Sequence, residues 1–309
     1  MSVSPDEFNR RLKSVADATE TLLMGRLGAA PQAGDLGHPE RLVAAMRHAA
    51  TGGKRIRPFL LIESGALFGA DERTALAAGA ALECIHCYSL VHDDLPAMDD
   101  DDLRRGRLTT HRAFDEATAI LAGDSLLTPA FEQLSQLDTD AETRIALVAL
   151  FARAAGMGGM AGGQMLDLEA EGRFAAGKQP LSLTLAKIEQ LQAMKTGALL
   201  AAACEAGAIL GRASYAERRA LAGYASALGL AFQVADDLLD AEGDSTTLGK
   251  AAAKDAGRGK ATLVSVLGAE GARERLRNLI NEAIAALAPF GERASMLSAC
   301  ARFVAARES

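Results

Sequence analysis

Apolar side chains recur at the three-to-four-residue spacing of an α-helix along almost all of this 309-residue chain. No run alternates β-branched and polar residues as a half-buried strand would. That pattern confines the fold, because a chain with only helical stripes to bury must pack helix on helix. The periodicity predicts helices over 5–26, 39–51, 55–69, 72–95, 112–136, 140–171, 181–208, 215–241, 261–288 and 292–307. Alanine, leucine, glutamate and arginine dominate these segments, and all four favour helix. No proline-rich or serine-rich linker divides the chain, so residues 1–309 are read as a single all-α domain.

Charge and cysteine usage narrow the setting. A net charge of -7 argues against general nucleic-acid binding, which needs positive charge to neutralise a run of phosphates. The first twenty residues, MSVSPDEFNRRLKSVADATE, lack the apolar core of a signal peptide. No uninterrupted apolar run approaches eighteen residues, so no transmembrane segment is expected. Cys84, Cys87, Cys204 and Cys300 read as reduced thiols, and the expected location is the cytoplasm.

Two acidic clusters oppose these economies. The stretch 92-HDDLPAMDDDD-102 holds six aspartates in eleven residues. Asp93 and Asp94 fall at the end of a helix, where the macrodipole disfavours anions, and Pro96 stops that helix near Leu95. Asp99 would face away from Asp93 on a straight helix, but a turn at Pro96 could return it. The second cluster, 236-DDLLD-240, lies within an apolar helix, with Asp236 and Asp240 four apart on one face. Like charges at that spacing destabilise a helix, and buried anions need a partner. A solvated surface accounts for Asp99–Asp102 alone, but not for carboxylates set inside apolar helical patterns. Oxygen-only ligands point to Mg²⁺, with Mn²⁺ as the alternative, and Mg²⁺ commonly bridges carboxylates to substrate phosphates.

Basic residues suited to a diphosphate lie close by. They are 52-GGKRIRP-58, 104-RRGR-107, Lys195, Lys250 and Lys260. Lys54 and Arg57, three apart, are expected on one face near a helix start, where amides and dipole also favour anions. Arginine adds bidentate contact to phosphate oxygens. Two long connections, 96–111 and 242–262, each begin at an aspartate cluster and suit lids or binding loops.

Taken together these residues resemble the trans-isoprenyl diphosphate synthases, whose hallmark is two aspartate-rich motifs on facing helices, here 93-DDLPAMD-99 and 236-DDLLD-240. The likeness spans nearly the whole chain, through 52-GGKRIRP-58, 83-ECIHCYSLVHDDLPAMDDDDLRRG-106, 122-AGDSLL-127, 162-GGQMLDL-168, 195-KTGALL-200, 229-GLAFQVADDLLD-240 and 248-LGK-250. The resemblance implies about ten core helices around a central cavity, a homodimer, and head-to-tail condensation of an allylic diphosphate with isopentenyl diphosphate. It implies that Asp93, Asp94 and Asp99 hold two Mg²⁺ ions, and that Asp236, with Asp237 and Asp240 nearby, holds a third. It assigns Arg104, Lys195 and Lys260 to the allylic diphosphate, with Lys250 close by. It assigns Lys54, Arg57, His86 and Arg105 to isopentenyl diphosphate, and Thr196 and Gln233 to the allylic carbon.

Tyr88 lies five residues before Asp93, about 7.5 Å along the helix at ~1.5 Å per residue. By resemblance, an aromatic there beside the small Ser89 suits a C15 product. The competing readings are a C20 synthase, a terpene cyclase, a His-Asp metal phosphohydrolase built on His86 and His92-Asp93, and a non-catalytic helical scaffold. The basic runs speak against a cyclase, and a phosphohydrolase leaves 236–240 without a role. Cys84-Ile-His-Cys87 reads as buried thiols. The stretch 156-GMGGMA-161 imitates a dinucleotide fingerprint, but it follows a helix rather than a strand and suits close helix packing.

Overall fold

The computed structural model describes residues 3–28, 30–31, 34–177, 179–243 and 262–306. The fold is all-α: 76% of the described residues are helical and almost none are in strand. In chain order the helices are α1 Pro5–Leu27, α2 Glu40–Ala50, α3 Ile56–Ala66, α4 Glu72–Asp93, the short α5 Thr110–Ala113, α6 Glu116–Ser135, α7 Ala141–Ala155 and α8 Met160–Ala170. Then follow α9 Leu185–Gln192, a π-turn Ala193–Gly197, α10 Ala198–Leu210, α11 Tyr215–Gly243, α12 Leu263–Ala286, a 3₁₀ segment Ala288–Ala294 and α13 Ser295–Ala305.

Three of these helices start with the same device. Asp71, Asp115 and Asp140 each accept the backbone N–H and the hydroxyl of a threonine three residues on, at 2.8–2.9 Å. Each cap satisfies a donor that the first turn would otherwise leave open. Its carboxylate also opposes the positive end of the helix dipole.

Helix α4 is the spine of the bundle. Residues 78–85 are all buried, the mark of a helix enclosed on every side. It packs against α1, α3, α6 and α10, while α11 lies on α10 and α12. Phe59, Leu60, Leu61, Leu82, Ile85, Leu126 and Leu134 are fully buried around it. The site below therefore grows out of a deeply buried helix.

Local chemistry departs from the sequence expectations in four places. The predicted helix 140–171 is two helices, because 156–159 forms a glycine-rich turn between α7 and α8. The expected loop 96–111 contains a small ribbon, Leu103–Arg104 against Arg107–Leu108. Arg105 (φ 54°) and Gly106 (φ 72°) are its two central residues, as a type I′ hairpin requires. Strands of two residues are too short to show as alternation. Gly268 (φ 70°) breaks the regular backbone inside α12.

The fourth departure concerns apolarity. Glu72–Asp93, Ala141–Ala170 and Leu185–Leu210 are long and apolar enough to cross a membrane by length and composition. Charged residues interrupt the apolar run in each of them, and length and composition alone do not indicate a membrane span. Ala141–Ala170 is broken at its glycines, and Glu72–Asp93 and Leu185–Leu210 are 61% and 50% buried within the protein.

Candidate active site

The first acidic motif is shaped by Pro96. Helix α4 ends at Asp93, and the chain then folds back on itself. The amides of Asp99, Asp100 and Asp101 donate to the carbonyls of Asp93, Leu95 and Asp94 at 2.8, 3.0 and 3.2 Å. Asp100 takes the left-handed conformation, φ 50°. The turn so brings Asp99 back beside Asp93. Arg173, just beyond α8, fixes it from outside by donating to the carbonyls of Ala97 and Met98 at 3.0 and 2.6 Å. Asp94 is buried and accepts from Arg104 Nε at 2.9 Å. Arg104 also lies 3.4 Å from Asp101.

Two elements distant in sequence face this motif. Gln164 and Asp167 are three apart on α8. Gln164 Nε2 donates to Asp93 Oδ1 at 2.5 Å, and Lys195 Nζ donates to Asp167 Oδ2 at 2.6 Å. Lys195 sits on the π-turn, a feature that often marks functional sites. Glycine lets α8 lie against that turn, since a Cβ at Gly163 would fall 2.1 Å from the Lys195 amide nitrogen. Burial pushes the Asp93 carboxyl up to about 6, with Lys195 opposing and Asp99 adding to the rise. Burial works against the charge on Lys195, but Asp93, Asp167 and Asp99 outweigh it and hold Lys195 above the ordinary lysine range. Gln164 and Asp167 carry no site role in the sequence pattern, and nothing in that pattern marks Arg173. Their i,i+3 polar spacing on a largely apolar helix was the available signal for the first two.

The second motif divides its carboxylates. Asp236 is half-buried and Asp240 exposed, while Asp237 is buried. Asp237 accepts from Gln192 Nε2 at 3.0 Å, Gln233 Nε2 at 3.1 Å and the Leu263 amide at 3.2 Å. It thus ties α11 to α9 and to the start of α12. Burial raises its pKa against the pull of these bonds. Thr196 Oγ1 donates to Gln233 Oε1 at 2.9 Å, so the two residues expected at the allylic carbon are joined. Lys250, Lys260 and most of the expected lid 242–262 lie outside the described residues.

The basic stretch 52–58 corrects one expectation. Lys54 does not share a helical face with Arg57. Gly52 (φ 76°), Gly53 (φ 100°) and Arg55 (φ 52°) are left-handed, and α3 begins only at Ile56. Lys54 stands in the turn, with Nζ 5.5 Å from the centre of the Phe303 ring. Arg105 Nη1 donates to the Gly52 carbonyl at 2.7 Å, and a Cβ at Gly53 would lie 2.5 Å from Arg105 Cζ. Glycine at 53 therefore serves both the positive φ and the close approach of Arg105.

Arg57 Nε is buried with no hydrogen-bond partner among the described residues. Burial lowers the Arg57 pKa, Glu83 resists, and Arg105 adds to the drop, while Asp236 pulls it up. His86 is held well below the usual imidazole range by burial and by Arg57, Arg105, Arg55 and Arg104. Arg55 is enclosed against Glu83, which leaves Arg57, Arg104 and Arg105 near the neutral imidazole as the receptor for a polyanion.

Further along α4, Tyr88 is half-buried and meets His92 edge to face at 5.9 Å between ring centres. His92 Nε2 lies 3.0 Å from the Ile120 carbonyl oxygen, in a notch left open by Gly123. Ser89 Oγ donates to the His86 carbonyl at 2.8 Å. His86 and His92 thus serve different surroundings and do not form the imidazole ligand pair of a phosphohydrolase. Burial pushes the thiols of Cys84 and Cys87 up, opposite to what a metal-binding thiolate requires.

Among the described residues no three acidic, histidine or cysteine side chains close into a ready-made metal cage. The donor chemistry nevertheless fits Mg²⁺. Half-buried Asp93 with buried Asp99 and Asp167 offers only hard oxygens, and Mg²⁺ needs one or two carboxylates when waters and substrate phosphates complete its shell. A small cavity of about 30 Å³ lies behind α4, lined by His48, Cys87, Val91, Asp94, Arg104 and Thr109. It has room for one or two waters and cannot take a prenyl chain.

Comparison with known proteins places the chain among its relatives. Residues 39–296 match the polyprenyl synthetase family model. The chain is 46% identical over 276 residues to farnesyl diphosphate synthase of Escherichia coli K12, covering 86% of this chain and 89% of the relative. It is 41% identical over 279 residues to geranylgeranyl pyrophosphate synthase 11 (chloroplastic) of Arabidopsis thaliana, covering 89% and 77%. The apo crystal structure of an FPP/GFPP synthase from Zymomonas mobilis superposes with a TM-score of 0.86 at 44% identity, covering 97% of this chain and 100% of that one.

Proposed function

The chain belongs to the polyprenyl synthetase family and is a prenyltransferase; from that premise we propose that it joins isopentenyl diphosphate head to tail to dimethylallyl and then geranyl diphosphate, releasing farnesyl diphosphate. The observation that carries this reading is the adjacency of two opposite receptors. A carboxylate group on α4 and α8 would gather cations, and Arg57, Arg105 and His86 would gather an anion; the consecutive Arg104 and Arg105 join the two, one holding Asp94 and the other the Gly52 carbonyl. Condensation of two diphosphates needs both.

Asp93, Asp94 and Asp99 on one side, with Asp236 and Asp240 on the other, would hold Mg²⁺, by resemblance three ions in all. Asp237 stands with them at the second motif and orients Gln233 through its hydrogen bond. When bound, Mg²⁺ supplies positive charge against the leaving diphosphate oxygens. Lys195 and Arg104 add to that charge, with Lys250 and Lys260 from the loop, and together they favour departure of the allylic diphosphate. The allylic C–O bond breaks and the electron pair leaves with the diphosphate. Thr196 and Gln233 present oxygen dipoles to the positive carbon. The isopentenyl double bond, held through its diphosphate by Lys54, Arg57, His86 and Arg105, attacks that carbon. The released diphosphate takes the proton, so no protein base is required. Water is kept out by the apolar helices around the site.

Tyr88, beside Ser89, is the proposed floor of the chain-binding space, which favours C15 over the C20 product named for the Arabidopsis relative. A homodimer is supported by the apolar side chains left exposed on α6, α7 and the turn after it, Ile120, Leu121, Ile145 and Met157. Cytoplasmic location is part of the same proposal, in keeping with four free, buried cysteines.

The decisive assay incubates the protein with dimethylallyl diphosphate, labelled isopentenyl diphosphate and Mg²⁺, then sizes the dephosphorylated products. A C15 alcohol is expected, with turnover abolished by Asp93→Ala, by Asp236→Ala and by chelation. Phosphate release without a new carbon–carbon bond would overturn the proposal, and a C20 product would favour the longer-chain reading.

A further inference from the structure

We propose that Arg55 is a positioning residue for the isopentenyl diphosphate site, held by a buried ion-pair network that fixes the turn bearing Lys54 and Arg57. The inference rests on the proposed function and adds a residue that none of the site assignments includes. It starts from a backbone oddity. Within 52–55 three residues are left-handed, and one of them is an arginine. A non-glycine residue pays for that conformation and keeps it only where its surroundings over-determine it.

The surroundings do so here. The Arg55 side chain is 0% exposed and Glu83 of α4 2% exposed, with Nη1 2.6 Å from Glu83 Oε1. The other terminal nitrogen donates to the Ala50 carbonyl at the end of α2, and lies 3.5 Å from Glu20 of α1. Glu20 in turn accepts the Gly52 amide at 3.0 Å. One guanidinium therefore stitches α1, α2 and α4 to a turn of the chain.

Its direction is the informative part. The Arg55 side chain is turned into the protein, while Lys54 before it is exposed and Arg57 after it is half-buried. The inward residue is the anchor, and its neighbours are left to meet the ligand. A buried ion pair adds little net stability over an apolar replacement. Geometric control of the adjoining cations is the role that such a costly arrangement serves.

The test uses full-length protein with Mg²⁺. KM for isopentenyl diphosphate is measured at saturating geranyl diphosphate, and the converse, for wild type, Arg55→Met, Arg55→Lys, Glu83→Gln and Glu20→Gln. Lys54→Met and Arg57→Met serve as benchmarks, and circular dichroism verifies folding. Arg55→Met should raise KM for isopentenyl diphosphate about tenfold or more, with KM for geranyl diphosphate within about twofold. Arg55→Lys should recover part of the loss. Glu20→Gln, which alters a half-exposed group and spares the core, should give a smaller shift of the same selectivity.

Equal shifts for both substrates, or no shift in folded variants, would overturn the positioning role. If Arg55→Met does not fold, an unchanged KM in Glu20→Gln overturns it equally. If the two benchmark variants also leave KM unchanged, the assignment of the isopentenyl diphosphate site fails, and the inference fails with it.

Discussion

Replacing Asp93 by asparagine should destroy activity and make the metal-free protein more stable. In the folded protein burial raises the Asp93 carboxyl from 3.8 to about 6. Roughly two pKa units at ~1.36 kcal/mol each set an upper bound of about 3 kcal/mol, the cost of keeping that carboxylate ionised near neutral pH. Asparagine keeps the shape and the acceptor for Gln164 but carries no charge. Some of the gain is lost because Lys195 no longer feels Asp93, though it keeps its 2.6 Å contact with Asp167. The expected net gain is about 1–2 kcal/mol at pH 7.5 in chelator, a rise of a few degrees in Tm.

The sign of the pH dependence follows from the direction of the shift. The folded chain holds this proton up to about pH 6 and the unfolded chain only to 3.8. The wild type therefore loses stability as pH rises through that window, and the variant does not. The two melting curves should converge near pH 4 and separate above pH 6. Added Mg²⁺ should raise the wild-type Tm and leave the variant nearly unchanged, because only a species that binds the folded state stabilises it. Scanning calorimetry across pH and metal concentration reads all of this. An asparagine variant that melts at or below the wild type at pH 7.5 in chelator would show that Asp93 is not a strained anion, and the reasoning would be wrong.

Other consequences can be checked in parallel. Tyr88→Ala should shift product toward C20 or longer, read by chromatography of the dephosphorylated alcohols; unchanged C15 output would remove Tyr88 from the floor. Gly163→Ala forces a methyl to within 2.1 Å of the Lys195 amide, so it should cost about 1–3 kcal/mol by overpacking and lower kcat by displacing Lys195. Arg173→Met frees the carbonyls of Ala97 and Met98. It should raise the Mg²⁺ concentration needed for half-maximal turnover severalfold, with little change in KM for isopentenyl diphosphate.

Much of this molecule was legible in its primary structure, for a physical reason. Helical periodicity, Pro96 as a stop and carboxylates four apart in 236–240 are local facts, governed by a few neighbouring residues. They determined the all-α class, the place where α4 ends and the presence of two acidic motifs that resemble a known family. Tertiary packing decided everything that depends on residues far apart. It set Gln164 and Asp167 against Asp93 and Lys195 through a glycine contact, and buried Asp237 between two glutamines and the Leu263 amide. It also twisted 52–55 into left-handed backbone, so that Lys54 left the helix that spacing alone had promised. A pattern of side chains records which face is apolar, whereas the position of a charge depends on how closely other helices approach. That distance is set by contacts such as Gly163 against Lys195, which exist only once the chain has folded.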